Sequence, residues 1–214
     1  SGWVYRILKE SFNNIHTVYS GGDDLVLVGP WEEIIRFSVM LNTEFRRFTC
    51  NNPNITLSAG IAVVSPKHPI AAAIQMEDNA LQVSKAGGKN RVTLFGTAVP
   101  WDRMESLLGY GKALENALLD ENSYVTTGML YRLLHYHEMQ QRVEKRIHNN
   151  RDFLWRSRIA YELDRNIKSR EDRGRNEADM QLVMELTGME HEADAIMPYF
   201  KIPAFWTLYK NRNL

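Results

Sequence analysis

One cysteine in 214 residues, Cys50, leaves no partner for an internal disulfide. The fold must rest on packing and hydrogen bonds, and such a chain suits a reducing compartment. Charge of one sign is lacking too: 26 Lys and Arg stand against 26 Asp and Glu, so no general attraction to nucleic acid or to an anionic membrane follows from the total. No apolar run approaches the ~18 residues of a membrane span and no signal-peptide pattern is visible, which places the expectation in the cytoplasm with no membrane partner. A P-loop, a Gly-x-Ser-x-Gly elbow and an HExxH helix are all absent, which removes the chemistries those motifs support. What is present is 44% apolar residues with 10% aromatics, enough to bury the core of one large domain or two small ones.

The order of elements is legible from periodicity. Trp3 to Phe12 has helical spacing with Val4, Ile7 and Leu8 on one side, and Asn13-Asn14 ends it. "IHTVYS" and "LVLVG" are two β-rich runs joined by Gly-Gly-Asp-Asp, a hairpin signal. After Pro30, apolar residues at Ile34, Leu41, Phe45 and Phe48 predict an amphipathic helix, and "NNPN" breaks it. "ITLSAGIAVV" predicts a strand in which Gly60 marks a bulge or a close backbone approach. A helix over about 68–85 and a strand "RVTLF" follow. Beyond Gly96 to Pro100 the strand signal fades. A Thr cap precedes Leu130, Leu133 and Leu134, and Ile159, Leu163 and Ile167 mark another helix, with Leu182 and Leu186 in a third. The expectation is an α+β domain over 1–96 and a helical bundle over 97–214.

The stretch "YSGGDD" carries the chemistry. A hairpin tip projects its side chains past the sheet, so Asp23 and Asp24 can converge in solvent. Adjacent carboxylates repel unless a cation lies beside them. Hard oxygen ligands suit Mg²⁺ or Mn²⁺, which take their remaining ligands from water and substrate phosphates and support nucleotidyl transfer. A plain turn is the alternative, because Gly and Asp are common turn residues.

Taken with "LSAGIA" and "EDNALQVSKAGGKNRV", the arrangement resembles the ferredoxin-like palm of the GGDEF and cyclase kind. Asp24 stands where diguanylate cyclases have Glu, and no Phe follows. "YSGGDD" is more similar to the large polymerase/cyclase subunit of type III CRISPR effector complexes. "GMLYRLLHYH", "FLWRSRIAYELDRNIK" and "IPAFWTLYKNR" resemble the C-terminal helical domain of its type III-A version. The resemblance implies a role in antiviral defence as an ATP nucleotidyltransferase making cyclic oligoadenylates when target RNA is bound. It implies that Asp23 and Asp24 are catalytic and hold two divalent ions. Gly21 and Gly22 then let the backbone approach the nucleotide, Ser20 contacts base or sugar, and Lys85 and Lys89 contact the triphosphate. Two exposed lysines at i, i+4 are the plainer reading of that last pair. The implied partners are the other effector subunits, guide RNA and target RNA.

The family's palm opens with a further strand carrying another metal-binding Asp, and this chain starts at what reads as the end of the helix after it. The expectation is therefore a partial palm lacking its first strand, the C-terminal piece of a longer polypeptide or one whose N-terminal part is a separate chain, inactive alone. A GTP-using diguanylate cyclase and a non-catalytic module of a ribonucleoprotein are the competing readings. His135 and His137, two apart, cannot chelate one ion from a single helix face, and "HEADA" around His191 reads as a solvated face. From Arg142 to Arg175 there are 11 Lys or Arg against 6 Asp or Glu, with Phe153 and Trp155 among them. Protein neighbours fit this half better than direct RNA contact.

Overall fold

The computed structural model describes residues 2–168, 173–189 and 196–212. The chain falls into two compact units, Ser1–Glu105 and Ser106–Leu214, the division lying within one helix.

In the first unit, α1 (Gly2–Ser11) leads into a hairpin of β1 (His16–Gly21) and β2 (Asp24–Val28). The hairpin register runs from His16 opposite Val28 to Gly21 opposite Asp24, with a bulge between Thr17 and Tyr19. Helix α2 (Trp31–Phe48) starts at Pro30 as expected, with Glu32 and Glu33 in its first turn and Arg46 and Arg47 in its last, signs that suit the helix dipole. Its end turns through Cys50 and Asn51, both at positive φ, while the Cys50 amide donates to Arg47 O and the Asn51 amide to Arg46 O. Leu8 of α1, Ile15 and Phe37 of α2 form a buried cluster, with Ile7, Leu27, Ile34 and Leu41 packed around it. The Phe12 ring meets Phe37 edge-on at 5.4 Å between centroids.

The rest of this unit is a βαβ crossover with an added strand. β3 (Ala59–Ile61) runs parallel to β4 (Arg91–Leu94), joined by α3 (Ile70–Ala86), and β5 (Thr97–Pro100) pairs antiparallel with β4. Gly60 is where helix and strand touch: a Cβ there would lie 2.4 Å from both the Glu77 carbonyl and the Leu81 amide. The close approach expected of Gly60 is thus present, and bare backbone alone fits it. Ser84 Oγ, fully buried, donates to Ala59 O at 2.8 Å and bonds Thr93 Oγ1 at 2.7 Å, fastening the end of α3 to β3 and β4.

Three expectations are corrected. The strand over 55–64 is confined to Ala59–Ile61, because a turn holds the segment before it: the Ile55 amide donates to Asn52 O and the Asn54 amide to Asn52 Oδ1. Residues 97–100, placed with the helical half, form β5, because Phe95 and Gly96 both take positive φ and close a tight hairpin. The palm strands do not form one sheet: the β1–β2 hairpin and the β3–β4–β5 sheet are separate among the described residues. The α+β class itself holds, a palm-type domain followed by a helical one.

The second unit is helical. α4 (Trp101–Leu119) enters it, followed by α5 (Thr127–Glu144), α6 (Trp155–Leu163), α7 (Arg173–Thr187) and α8 (Lys201–Lys210), with a π turn over Asp164–Lys168. Thr126 caps α5 as the sequence indicates, its Oγ1 accepting from the Met129 amide at 3.2 Å. Met129, Leu130, Leu133 and Leu134 of α5 are buried, as are Ile159, Val183, Phe200 and Ile202. Asp179 of α7 accepts from the Tyr124 amide and Ser123 Oγ, and Thr207 of α8 donates to Gly111 O of α4. The "HEADA" stretch at 191–195 lies outside the described residues. Among those described, no helix is long and apolar enough to cross a membrane.

Candidate functional site

The "GGDD" segment makes a hairpin with a two-residue loop. Gly21 and Asp24 are the last ladder pair, and Gly22 and Asp23 form the turn. Gly22 has φ +62 while Asp23 stays outside the left-handed region. That is the requirement of a type II′ turn for glycine at its first central position. Directly opposed residues share a face of the ladder. Asp24 therefore lies with Gly21, Tyr19 and Val26, and Leu25 and Ser20 lie on the other face with Leu27, which packs into the α1–α2 core. Tyr19 leans along the strand: a Cβ on Gly21 would sit 2.7 Å from its Oη. Asp23 and Asp24 are both exposed.

The structure thus brings Gly21, Gly22, Asp23 and Asp24 together at the hairpin tip and sets Ser20 on the opposite face from Asp24. Lys85 is in the last turn of α3, and Lys89 follows at φ +59, just past the helix end, where the Gly88 amide donates to Lys85 O and the Lys89 amide to Ser84 O. The i, i+4 helical pairing expected of the two lysines ends there, because Lys89 has left the helix.

Glu77 links the two groups and escaped the sequence reading. Burial pushes this partly buried carboxyl up from its ordinary range, the negative charges of Asp78 and Asp24 add to the rise, and Lys85 opposes it. Asp24 and Lys85 therefore act on one side chain. The available signal was the i, i+4 row of Glu77, Leu81 and Lys85 along α3, which joins an acid to a base.

As a donor set, the adjacent carboxylates of Asp23 and Asp24 match a hard cation that keeps waters and shares substrate phosphates. No cluster of three His, Cys, Asp or Glu among the described residues makes a metal cage by itself.

These features define a class: a palm-type α+β domain with a GGDD hairpin, followed by a helical bundle. Residues 2–93 match the family described as Cas10/Cmr2, second palm domain, and that segment of the chain belongs to it. It is 35% identical over 102 residues to the CRISPR system single-strand-specific deoxyribonuclease Cas10/Csm1 (subtype III-A) of Methanocaldococcus jannaschii, covering 42% of this chain and 13% of that protein. With the protein of the same description from Enterococcus italicus it shares 30% identity over 170 residues, 78% of this chain and 20% of the relative. The chain thus spans a fifth or less of these two relatives. Its fold is similar to a chain in the crystal structure of a Csm1–Csm4 cassette in complex with cA4. That match has a TM-score of 0.63 and 20% identity, and covers 96% of this chain and 30% of the other.

Proposed function

We propose that this chain carries the nucleotidyl-transfer site of a type III CRISPR large subunit, one that joins ATP into cyclic oligoadenylates when the assembled complex binds target RNA. The observation that carries the reading is the GGDD turn, which presents Asp23 and Asp24 at the solvent end of a hairpin whose other face packs on helices. The solved neighbour's cA4 and Csm4 support the product class and an effector-subunit partner.

Asp23 and Asp24 are the ligands for two Mg²⁺ or Mn²⁺ ions in this reading. Bound there, the ions supply activation of the attacking 3′ hydroxyl and stabilisation of the leaving pyrophosphate. Gly21 and Gly22 keep side chains away from the substrate backbone, Ser20 contacts base or sugar, and Lys85 and Lys89 hold the triphosphate as point charges. The bond formed is 3′ oxygen to α-phosphorus, and the bond broken is α-phosphorus to the bridging oxygen of pyrophosphate. Guide RNA and target RNA act through the complex.

The test is mass spectrometry of products from ATP and from GTP, with Mg²⁺, using the complete complex with guide and complementary RNA beside its Asp23→Ala, Asp24→Ala form. Cyclic oligoadenylates that require ATP, RNA and both aspartates are the expected result. A cyclic guanylate, or no cyclic product from the intact complex, would overturn it.

A further inference from the structure

The loop between α5 and α6 in the helical unit presents a surface that the nucleotidyl-transfer reading leaves unused. Helix α5 ends with Arg146 at φ +58, its amide donating to Val143 O while the Ile147 amide donates to Arg142 O. This six-to-one closure usually tucks the residue after the left-handed position against the helix. Here Ile147 points out and is 68% exposed. Phe153 and Leu154 follow at 55% and 47% exposure. Three large apolar side chains stand in solvent within eight residues of sequence, and single exposed ones would need no explanation.

The charges around them are one-sided because the one acid within the loop, Asp152, is spent internally. Asp152 is buried, accepting from Arg142 Nε and Nη2 at 3.1 and 2.7 Å and from the Asn149 amide at 2.9 Å. The Arg142 hydrogen bonds, with the Asn149 amide, hold its carboxyl down to about 2. Glu144, the exposed acid that ends α5 just before the loop, accepts from Gln140 and Gln141 and keeps its charge. Lys145, Arg146, Arg151 and Arg156 remain exposed, with no exposed acid between Lys145 and Ser157. An open depression of about 540 Å³, lined by Asn149, Asn150 and Arg151, lies in the same loop. Asn149 Oδ1 accepts from the Arg151 amide, so the loop is fixed by its own hydrogen bonds before any partner arrives.

A basic, partly aromatic surface has two candidate partners, and the ring contacts decide between them. Single strands bind where aromatic faces are open for bases to stack. Here His148 meets Phe153 at 4.5 Å between centroids, and the Arg156 guanidinium lies 5.0 Å from the centre of the Trp155 ring. Phe153 stays 55% exposed with His148 already set against its ring, and beside it Ile147 and Leu154, 68% and 47% exposed, offer a base neither a π face nor a hydrogen bond. Apolar side chains of another protein segment bury them with gain.

We infer that the α5–α6 loop is a docking surface for an acidic protein segment, with Ile147 and Leu154 inserted between its apolar side chains and Arg146 and Arg151 facing its carboxylates.

The test uses this chain with two fluorescent probes: a short helical peptide with leucines on one face and glutamates beside them, and an oligouridylate of matched charge. Anisotropy titrations are expected to show the peptide binding more tightly than the oligouridylate, and weakening as salt rises. The pair Ile147→Ser, Leu154→Ser should weaken the peptide about tenfold, Arg146→Glu with Arg151→Glu at least as much, and Ile147→Leu hardly at all. Urea midpoints of all variants within error of the parent show that the surface changed and not the fold. Tighter binding of the oligouridylate, equal binding of a leucine-free peptide, or no peptide binding each overturns the inference.

Discussion

Gly60 of β3 and Leu81 of α3 meet backbone to backbone, with 2.4 Å between the Leu81 nitrogen and the place a Cβ on Gly60 would take. Both sides are main chain, so neither can rotate away. Gly60→Ala is expected to cost about 1–3 kcal/mol or more, as overpacking into fixed structure does. A urea midpoint equal to the parent's would show that helix and strand separate freely.

Ser84 and Thr93 share a buried hydroxyl pair at 2.7 Å. Ser84→Ala strands the Thr93 hydroxyl and removes a donor from Ala59 O, an expected loss of about 1–3 kcal/mol. Adding Thr93→Val should cost less than a second independent loss, and a double-mutant cycle reads the difference. Strict additivity would mean that the two hydroxyls do not depend on one another.

Cys50 holds φ +52 at the end of α2, a conformation that costs a residue with a Cβ about 1–2 kcal/mol. Cys50→Gly relieves this and gives back part of it as unfolded-chain entropy, for a net gain of about 0.5–1 kcal/mol. Thermal denaturation should show a higher midpoint, and a lower one would contradict the assigned turn.

His137 is buried in α5, its Nδ1 donating to Met197 O at 2.6 Å. Burial lowers its pKa below 6.5, and the Met197 bond and Glu138 oppose the drop while Lys201 and Lys145 add to it. The unfolded chain therefore takes up this proton at a higher pH than the folded one does. Its contribution is fully present above 6.5 and is lost as pH falls from there toward the folded value. Urea midpoints should decline over that window, and His137→Gln should flatten this part of the decline. An unchanged slope would assign it to other groups.

Asp23 stands exposed at the hairpin tip, so Asp23→Ala should leave stability within about 0.5 kcal/mol of the parent. A loss of activity in that variant is then a loss of chemistry. Asp24→Ala removes one of the charges that raise Glu77, so NMR titration should find the Glu77 carboxyl moved down toward 4.5. A stationary Glu77 would mean that Asp24 does not reach it.

Much of this was legible because period and turn chemistry are local. The hairpin at Gly21–Asp24, the Pro30 start of α2 and the Thr126 cap of α5 each follow from residues within one or two turns of the chain. Strand β5 was not, because its turn places Phe95 in the left-handed region, where a rule reserving that region for Gly and Asn does not look. The separation of hairpin and sheet escaped for a similar reason: pairing partners are distant in sequence, and β propensity does not name them. At the site, the carboxylate pair was visible in four letters. Glu77 was not, because burial and the reach of Asp24 from a hairpin over fifty residues away gave it its character.

The two ladders of the first unit divide the labour of the candidate site. Asp23 and Asp24 stand on the hairpin, whereas Lys85 belongs to a helix pinned to the other sheet at Gly60 and again at Ser84. The acidic and basic halves are thus mounted on different chassis. Among the described residues no strand ladder spans the distance between them, so that distance is held by packing alone and not by main-chain pairing.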